Sequence, residues 1–223
     1  VKDAIFDLTE NGYSRRNHIS SFAEEMRADI DWMPKQIRAF ASKTSLNNHT
    51  HRKHADHIKT RFQLYQYLRD QSIHPKVVAI PKDPELTPEA CEAKIKNTLS
   101  EAKLPARSPD KKIIAKDIDE LVEMVMRLAT KKHSQRPLDW NSPSPTVVSL
   151  PDDYVHPQKP RTLTVRELAR FQSFPDAFEF RSKETTGSLR RRFEVPQFTQ
   201  VGNAVPPKLA RAVGMMLSEI LSR

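Results

Sequence analysis

Residues 160–176 read Pro-Arg-Thr-Leu-Thr-Val-Arg-Glu-Leu-Ala-Arg-Phe-Gln-Ser-Phe-Pro-Asp. This pattern is typical of a capped helix that ends in a turn. Thr164 is a suitable N-cap for a helix, and Glu167, three residues later, completes a capping box. We therefore predict a helix that runs to about Gln172 and is followed by a Phe-Pro-Asp turn.

Two arginines of this predicted helix, Arg166 and Arg170, are four residues apart and share one face, while Leu168 and Phe171 form an apolar side. A pair of cations on one face makes both arginines candidate DNA-binding residues. The alternative is a purely structural role at the helix end, which we favour over a direct part in chemistry.

A second stretch, residues 199–207, reads Thr-Gln-Val-Gly-Asn-Ala-Val-Pro-Pro. Gly202 permits a tight backbone approach, Asn203 can bond to backbone or ligand polar groups, and the proline pair favours a helix start. The predicted final helix runs to about Leu221, and five apolar residues share one of its faces: Leu209, Val213, Met216, Leu217 and Ile220.

The two stretches resemble the ninth and tenth motifs of DNA cytosine-5 methyltransferases, in the same order and with a similar separation. Residues 142–157 resemble the exit from that family's target-recognition region. Asn48-His49, with Arg52 and His54, resembles its entrance, and Val1-Lys2-Asp3-Ala4 resembles the segment after the eighth motif.

The resemblance implies a fold, an activity and a cofactor. The full enzyme is expected to be α/β, with a Rossmann-like domain that binds S-adenosylmethionine. This chain is expected to be mainly α, with a few short strands near residues 146–156. The implied reaction is methyl transfer from S-adenosylmethionine to C5 of cytosine in double-stranded DNA, for restriction–modification or phage defence.

The resemblance also suggests site residues. Asn203, Ala204 and Val205 are placed in a wall beside S-adenosylmethionine, most of whose site lies outside this chain. Lys183, Arg190, Arg191 and Arg192 are four cations within ten residues, and we expect them to contact DNA phosphates. A solvated loop is the alternative for this group.

The family's catalytic machinery is absent from the sequence. The nucleophile is a cysteine in a Pro-Cys-Gln loop that attacks C6 of a flipped cytosine, and no such loop occurs here. We predict no catalytic residue in this chain, interpret Cys91 as an incidental helix residue, and expect the chain alone to be inactive.

Three explanations are consistent with this absence. The chain could be the end of a longer enzyme, which its start at Val1 favours. It could be the recognition subunit of a split methyltransferase that works with a separate catalytic chain, or a catalytically dead remnant that only binds DNA. The predicted regions are residues 1–44 (end of the catalytic domain), 45–140 (target recognition), 141–198 (small-domain strands and ninth-motif helix) and 199–223 (tenth motif and docking helix).

Composition supports a nucleic-acid partner and limits other functions. The net charge is +9, and charged residues make up 29% of the 223 residues. One cysteine excludes a disulfide framework, and the spacing of His49, His51, His54 and His57 matches no standard zinc set. No apolar stretch is long enough to span a membrane, so a cytoplasmic location is expected.

The remaining segments predict further helices and one strand pair. Apolar residues recur at helical spacing over residues 20–42, broken at Pro34, and over residues 50–69. Residues 87–102 and 117–130 predict two more helices. Residues 146–150 predict a strand with which residues 154–156 could pair.

Overall fold

The computed structural model describes residues 1–9, 19–28, 46–132, 135–150, 152–186, 190 and 193–223. The chain divides into two compact units. Unit 1 contains Val1–His51, Asp139–Pro151 and Leu163–Arg223, and unit 2 contains Arg52–Leu138 and Asp152–Thr162. This differs from the predicted four regions, because 152–162 joins unit 2 while the rest of 141–223 belongs with the N-terminal segment.

The described chain is mainly helical, as predicted, with four short strands. The helices are α1 (Lys2–Ile5), α2 (Ser21–Arg27), α3 (Asp56–Asp70), α4 (Pro88–Thr98), α5 (Ile118–Arg127), α6 (Val165–Phe171), α7 (Gln197–Asn203) and α8 (Pro207–Leu221). Phe6–Leu8 and Pro75–Lys82 are 3-10 helices. The strands are β1 (Ala106–Arg107), β2 (Ile113–Ala115), β3 (Arg136–Pro137) and β4 (Tyr154–Val155).

Unit 2 is built around α3, α4 and α5. Their apolar faces, together with Val78 of the 3-10 helix, form a continuous buried core. The antiparallel pair β1–β2 is attached to this core through Ala106 and Ala115, whose side chains are buried. Since these small residues allow close backbone approach, the hairpin is held firmly against the helices.

The predicted helices of unit 2 are present, with shorter ends. Thr87 caps α4 by accepting a hydrogen bond from Ala90 N at 3.2 Å, and Asp117 caps α5 by accepting one from Glu120 N at 2.9 Å. Neither α4 nor α5 reaches its predicted C-terminus, and α3 begins at Asp56 rather than near residue 50. Of the helix predicted over 20–42, Ser21–Arg27 is α2, and the residues from 29 onward lie outside the described part of the chain.

The strand predicted over residues 146–150 is wrong. This segment forms no ladder with any described residue, and Tyr154–Val155 pairs instead with Arg136–Pro137 in a parallel arrangement. Pro143 and Pro145 remove backbone donors just before it, and the backbone of 148–149 is occupied by a close contact with Gly202. A β-branched run therefore stays extended without a partner strand.

Unit 1 brings together the two ends of the described chain. α1 packs against both α2 and α6, while α7 packs against α6 and leads into α8. None of the residues of α8 is buried, so its apolar side faces away from the rest of the unit. None of the described helices is long and apolar enough to cross a membrane.

Candidate functional site

Arg170 of α6 lies at the centre of a buried ionic cluster in unit 1. Its Nε and Nη2 donate to the two carboxylate oxygens of Asp176 at 2.9 and 2.7 Å, and its Nη1 donates to Asp7 Oδ1 at 2.6 Å and to the carbonyl of Ala4 at 2.9 Å. Asp7 also accepts a hydrogen bond from Arg27 Nε at 3.0 Å. This cluster ties the N-terminal segment, α2 and the Phe-Pro-Asp turn to α6.

The charge state of Arg170 follows from these contacts. Burial alone would lower the pKa of Arg170, but the hydrogen bonds and charges of Asp176 and Asp7 outweigh it and raise the pKa above its ordinary value. The guanidinium is therefore permanently charged, and removing it would take a cation away from two buried carboxylates.

Arg166, one turn earlier in α6, forms hydrogen bonds with backbone carbonyl groups. Its guanidinium donates to the carbonyls of Asn47, Pro175 and Phe178, and its backbone N–H donates to the carbonyl of Asn48 at 2.8 Å. A guanidinium has five donors in a fixed plane, so it can bind several carbonyls at once.

The side chains of Arg166 and Arg170 are both 0% exposed. Neither offers a donor to a phosphate at the surface, because their donors are directed to acceptors within unit 1. This burial corrects the expectation that the two arginines contact DNA. It agrees with the alternative, in which they shape the protein around the helix.

Asn48 links the same region through its side chain. Its Nδ2 donates to the carbonyl of Phe180 at 2.8 Å and its Oδ1 accepts from Phe180 N at 3.0 Å, as a paired backbone strand would. Nδ2 also lies 3.1 Å from Gln197 Oε1. Asn48 has a φ of 62°, which asparagine tolerates better than most residues. It comes four residues before Arg52, at which the chain enters unit 2.

The predicted capping box of α6 is confirmed. Thr164 Oγ1 accepts from Glu167 N at 3.2 Å, and Glu167 Oε2 accepts from Thr164 N at 2.8 Å. His49 Nδ1 lies 2.9 Å from Thr164 Oγ1, so the segment before unit 2 is also attached to the start of α6. The described residues contain no group of three or more side chains placed to bind a metal ion.

Gly202 is required by packing at the junction of α7 and α8. A Cβ at this position would lie 2.6 Å from Ser149 N and 2.7 Å from the carbonyl carbon of Val148. The adjoining Asn203 and Val205 are exposed, Val205 to 66%, and Ala204 is half-buried. Gly202 therefore packs against the backbone of 148–149, while the neighbouring Asn203 and Val205 remain exposed.

The predicted phosphate-binding loop is only partly described. Lys183 Nζ lies 3.4 Å from Glu194 Oε1, and Arg190 is exposed. Arg191 and Arg192 lie outside the described residues. The DNA contact of these four cations remains a prediction.

Comparison with known proteins assigns the chain to a family. A family model for C-5 cytosine-specific DNA methylases matches residues 9–219. The chain belongs to this family. The match takes in both motifs whose geometry is given above, and it includes the whole of unit 2.

Several curated methylases are similar to this chain. The Type II methyltransferase M.AquIB of Picosynechococcus sp. is 51% identical over 88 residues, which are 39% of this chain and 63% of that protein. M.DdeI of Desulfomicrobium norvegicum is 42% identical over 88 residues, or 20% of its length. DNA (cytosine-5)-methyltransferase 1B of Oryza sativa subsp. japonica is 30% identical over 98% of this chain and 12% of its own. This chain therefore spans only part of each relative.

The only cysteine of this methylase-family chain is not placed as a nucleophile. Cys91 is buried in α4, with its Sγ 3.6 Å from the carbonyl oxygen of Ile80. It packs within unit 2, in agreement with its interpretation as an incidental helix residue.

Sequence reasoning missed the partners that give this site its form. Asp7, buried within Ala4-Ile5-Phe6-Asp7-Leu8, is separated from Arg170 by 163 residues. A lone acid in an apolar segment was the available signal, because a buried carboxylate requires a cation. The role of Asn48 had a weaker signal, its place in the segment that resembles the entrance to the recognition region.

Proposed function

We propose that this chain is the C-terminal part of a DNA (cytosine-5-)-methyltransferase of a restriction–modification system. It would contain the target-recognition region and the ninth and tenth motifs. The complete enzyme would transfer a methyl group from S-adenosylmethionine to C5 of cytosine in a specific sequence of double-stranded DNA. The observation that carries the proposal is the family match over residues 9–219, with the ninth-motif helix bound by a buried ionic cluster.

The two units would have different tasks. Unit 2 would supply target recognition, since residues 45–140 occupy the recognition region in the resemblance and include most of this unit. Unit 1 would hold the segments through which the chain enters and leaves unit 2. Asn48 accepts a hydrogen bond from Arg166 N in α6, and His49 contacts Thr164, the N-cap of that helix. Backbone held in this way would preserve the geometry on which base contacts depend.

The residues of this chain that would contact the cofactor lie at the junction between α7 and α8. S-adenosylmethionine would supply the methyl group when bound. Asn203, Ala204 and Val205 would form one wall of its site, with Asn203 available for polar contacts and Val205 for an apolar one. The packing of Gly202 on 148–149 would hold this wall in position. A Rossmann-like domain outside this chain would supply the rest of the site.

The last helix offers a surface for the catalytic portion. Leu209, Val213, Met216, Leu217 and Ile220 are all exposed, Met216 to 60%. An apolar helix face of this kind is usually covered by another domain. We propose that α8 docks on the catalytic portion, whether that portion belongs to the same polypeptide or to a separate subunit.

A split enzyme has one specific observation in its favour. M.AquIB, which is itself called a Type II methyltransferase, is shorter than this chain, since the 88 matched residues are already 63% of it. A chain of that size leaves little room for both a recognition region and a catalytic domain. The subunit arrangement is therefore the second candidate for this protein, and a DNA-binding remnant is the less favoured one.

The proposal can be tested by reconstitution. The purified chain would be mixed with the protein encoded by the region directly upstream, together with duplex DNA and S-adenosylmethionine carrying a labelled methyl group. We expect label in DNA only when both proteins are present. DNA whose cytosines are already 5-methylated should accept no label.

Two control results define the alternatives. A variant with Leu209→Ser and Leu217→Ser should lose activity in the mixture because the docking face is disrupted, whereas Lys94→Gln in unit 2 should keep it. If the mixture transfers no label although the chain binds DNA tightly, the remnant becomes the correct account.

A further inference from the structure

The positive charge of unit 2 is concentrated in one short segment. Residues 103–116 contain five cations, Lys103, Arg107, Lys111, Lys112 and Lys116, and one acid, Asp110, which gives a net charge of +4. The whole of unit 2 has 20 Lys and Arg against 14 Asp and Glu, a net charge of +6. Fourteen residues therefore carry most of the excess.

Arg107, Lys111 and Lys112 lie on the hairpin formed by β1 and β2, and the other two cations flank it in sequence. Ala106 pairs with Ala115, and the two alanines anchor the hairpin in the core of unit 2. All five cationic side chains are exposed. The hairpin thus has a buried base of small residues and an outer surface of cations.

The tip of the hairpin is fixed by its own hydrogen bonds. Ser108 N donates to the carbonyl of Lys112 at 2.9 Å, and Lys111 N donates to the carbonyl of Ser108 at 2.8 Å. Lys111 has a φ of 66°, and Arg107 Nη1 donates to its carbonyl at 3.1 Å. Because the turn is held in one conformation, ordering it on binding would cost little entropy.

The carboxylate partners of the hairpin cations lie farther away than those of three other cations of unit 2. Arg69, Lys96 and Arg52 each lie within 2.8 Å of an Asp carboxylate oxygen. In the hairpin, Lys112 Nζ is 3.5 Å from Asp110 and Lys116 Nζ is 3.8 Å from Glu120. Lys103 and Lys111 form no ion pair within the described part of the chain. Their charge is available to an external anion.

We propose that the β1–β2 hairpin is a DNA-contact element of this protein, with Lys111 and Lys112 at its tip binding phosphates of the duplex. A two-stranded ribbon fits the major groove of B-form DNA, where flanking phosphates lie within reach of lysine side chains. The inference rests on the proposed function, since it names the residues through which unit 2 would hold its substrate.

The test is the salt dependence of duplex binding by the full chain. Each lysine–phosphate contact releases counterions and adds about 0.9 to the slope of log affinity against log salt concentration. We expect Lys111→Gln with Lys112→Gln to reduce this slope by about 2 and to weaken binding roughly tenfold at 0.1 M salt. Lys112→Gln alone, which keeps Lys111 in its left-handed conformation, should produce about half of the change in slope.

A matched control separates local contact from total charge. Lys82→Gln with Lys94→Gln removes the same charge from exposed positions of unit 2, and it should leave the slope unchanged. Equal slopes for the hairpin variant and the unaltered chain, with unaltered thermal melting, would overturn the hairpin assignment while leaving the methyltransferase proposal intact. An equal reduction in the control pair would also overturn it. If the unaltered chain binds no duplex at any salt concentration, the hairpin assignment fails, and methyl transfer by the mixture of both proteins decides the proposed function on its own.

Discussion

The arginines of α6 and the cations of the β1–β2 hairpin are chemically similar, yet the protein surrounds them differently. Arg166 and Arg170 are buried and direct their donors to fixed carbonyls and carboxylates. Lys111 and Lys112 lie at the surface with at most one distant acid. A cation near a family motif therefore does not by itself indicate a DNA contact. The number of acceptors that the fold already provides decides its role.

Removal of the buried Arg170 should change the stability of the protein most. Arg170→Ala leaves Asp7 and Asp176 without their shared cation, and we expect a loss of about 3–5 kcal/mol in the free energy of unfolding. Urea denaturation followed by circular dichroism measures it. Arg223→Ala, which removes the exposed partner of Glu219, should change stability little. Comparable losses for the two variants would contradict the distinction.

Asn48 tests whether the segment entering unit 2 depends on its side chain. Asn48→Ala removes the pair of hydrogen bonds to Phe180 and places an alanine at a φ of 62°. We expect a loss of about 2–4 kcal/mol. Asn48→Gly relieves the backbone cost but not the lost hydrogen bonds, so it should recover only part of this loss. Full recovery with glycine would show that the side chain contributes nothing.

Two glycines provide a matched comparison at the C-terminal end of the chain. Gly202→Ala brings a methyl group within 2.7 Å of the backbone of 148–149, and we expect a loss of about 1–3 kcal/mol. Gly214→Ala, in α8, meets no atom within 4 Å and should raise stability by up to about 1 kcal/mol. Thermal melting of both variants checks the opposite signs. A stabilising Gly202→Ala would rule out the close packing at the junction.

The smallest effect concerns His54 in unit 2. Burial, followed by the charge of Arg52, lowers the pKa of His54 below its ordinary value of 6.5. The unfolded chain therefore takes up this proton at a higher pH than the folded chain. Its contribution to stability is complete above about pH 6.5 and is lost as pH falls through the lowered pKa.

The pH dependence of unfolding in His54→Gln and in the unaltered chain gives the measurement. The decrease in stability from about pH 7.5 to about pH 5.5 should be smaller in the variant. An identical decrease in both proteins would show that His54 does not contribute to the pH dependence of stability.

Much of the local structure could be predicted from the sequence because its causes are local. The capping box of Thr164 and Glu167 and the start of α8 at Pro207 depend on residues within one turn. The strand expected at 146–150 failed because a strand needs a partner, and neither propensity nor alternation specifies one.

The candidate site was predicted less well than the helices. The motif around α6 could be placed by resemblance, but the contacts of Arg166 and Arg170 could not. Some of their acceptors, Asn48 and Asp7 among them, lie on remote segments, and no periodicity links such distant residues. The hairpin cations were visible in the sequence, but only the structure shows that all five are exposed and lie on or beside one short hairpin.

Bisulfite sequencing of host DNA shows whether this chain provides the recognition part of a cytosine-5 methyltransferase. The chain would be expressed alone, and together with the coding region directly upstream. We expect 5-methylcytosine at one fixed sequence in the paired sample and none with the chain alone. Absence of 5-methylcytosine from the paired sample, with both proteins present in soluble form, would contradict the proposed function.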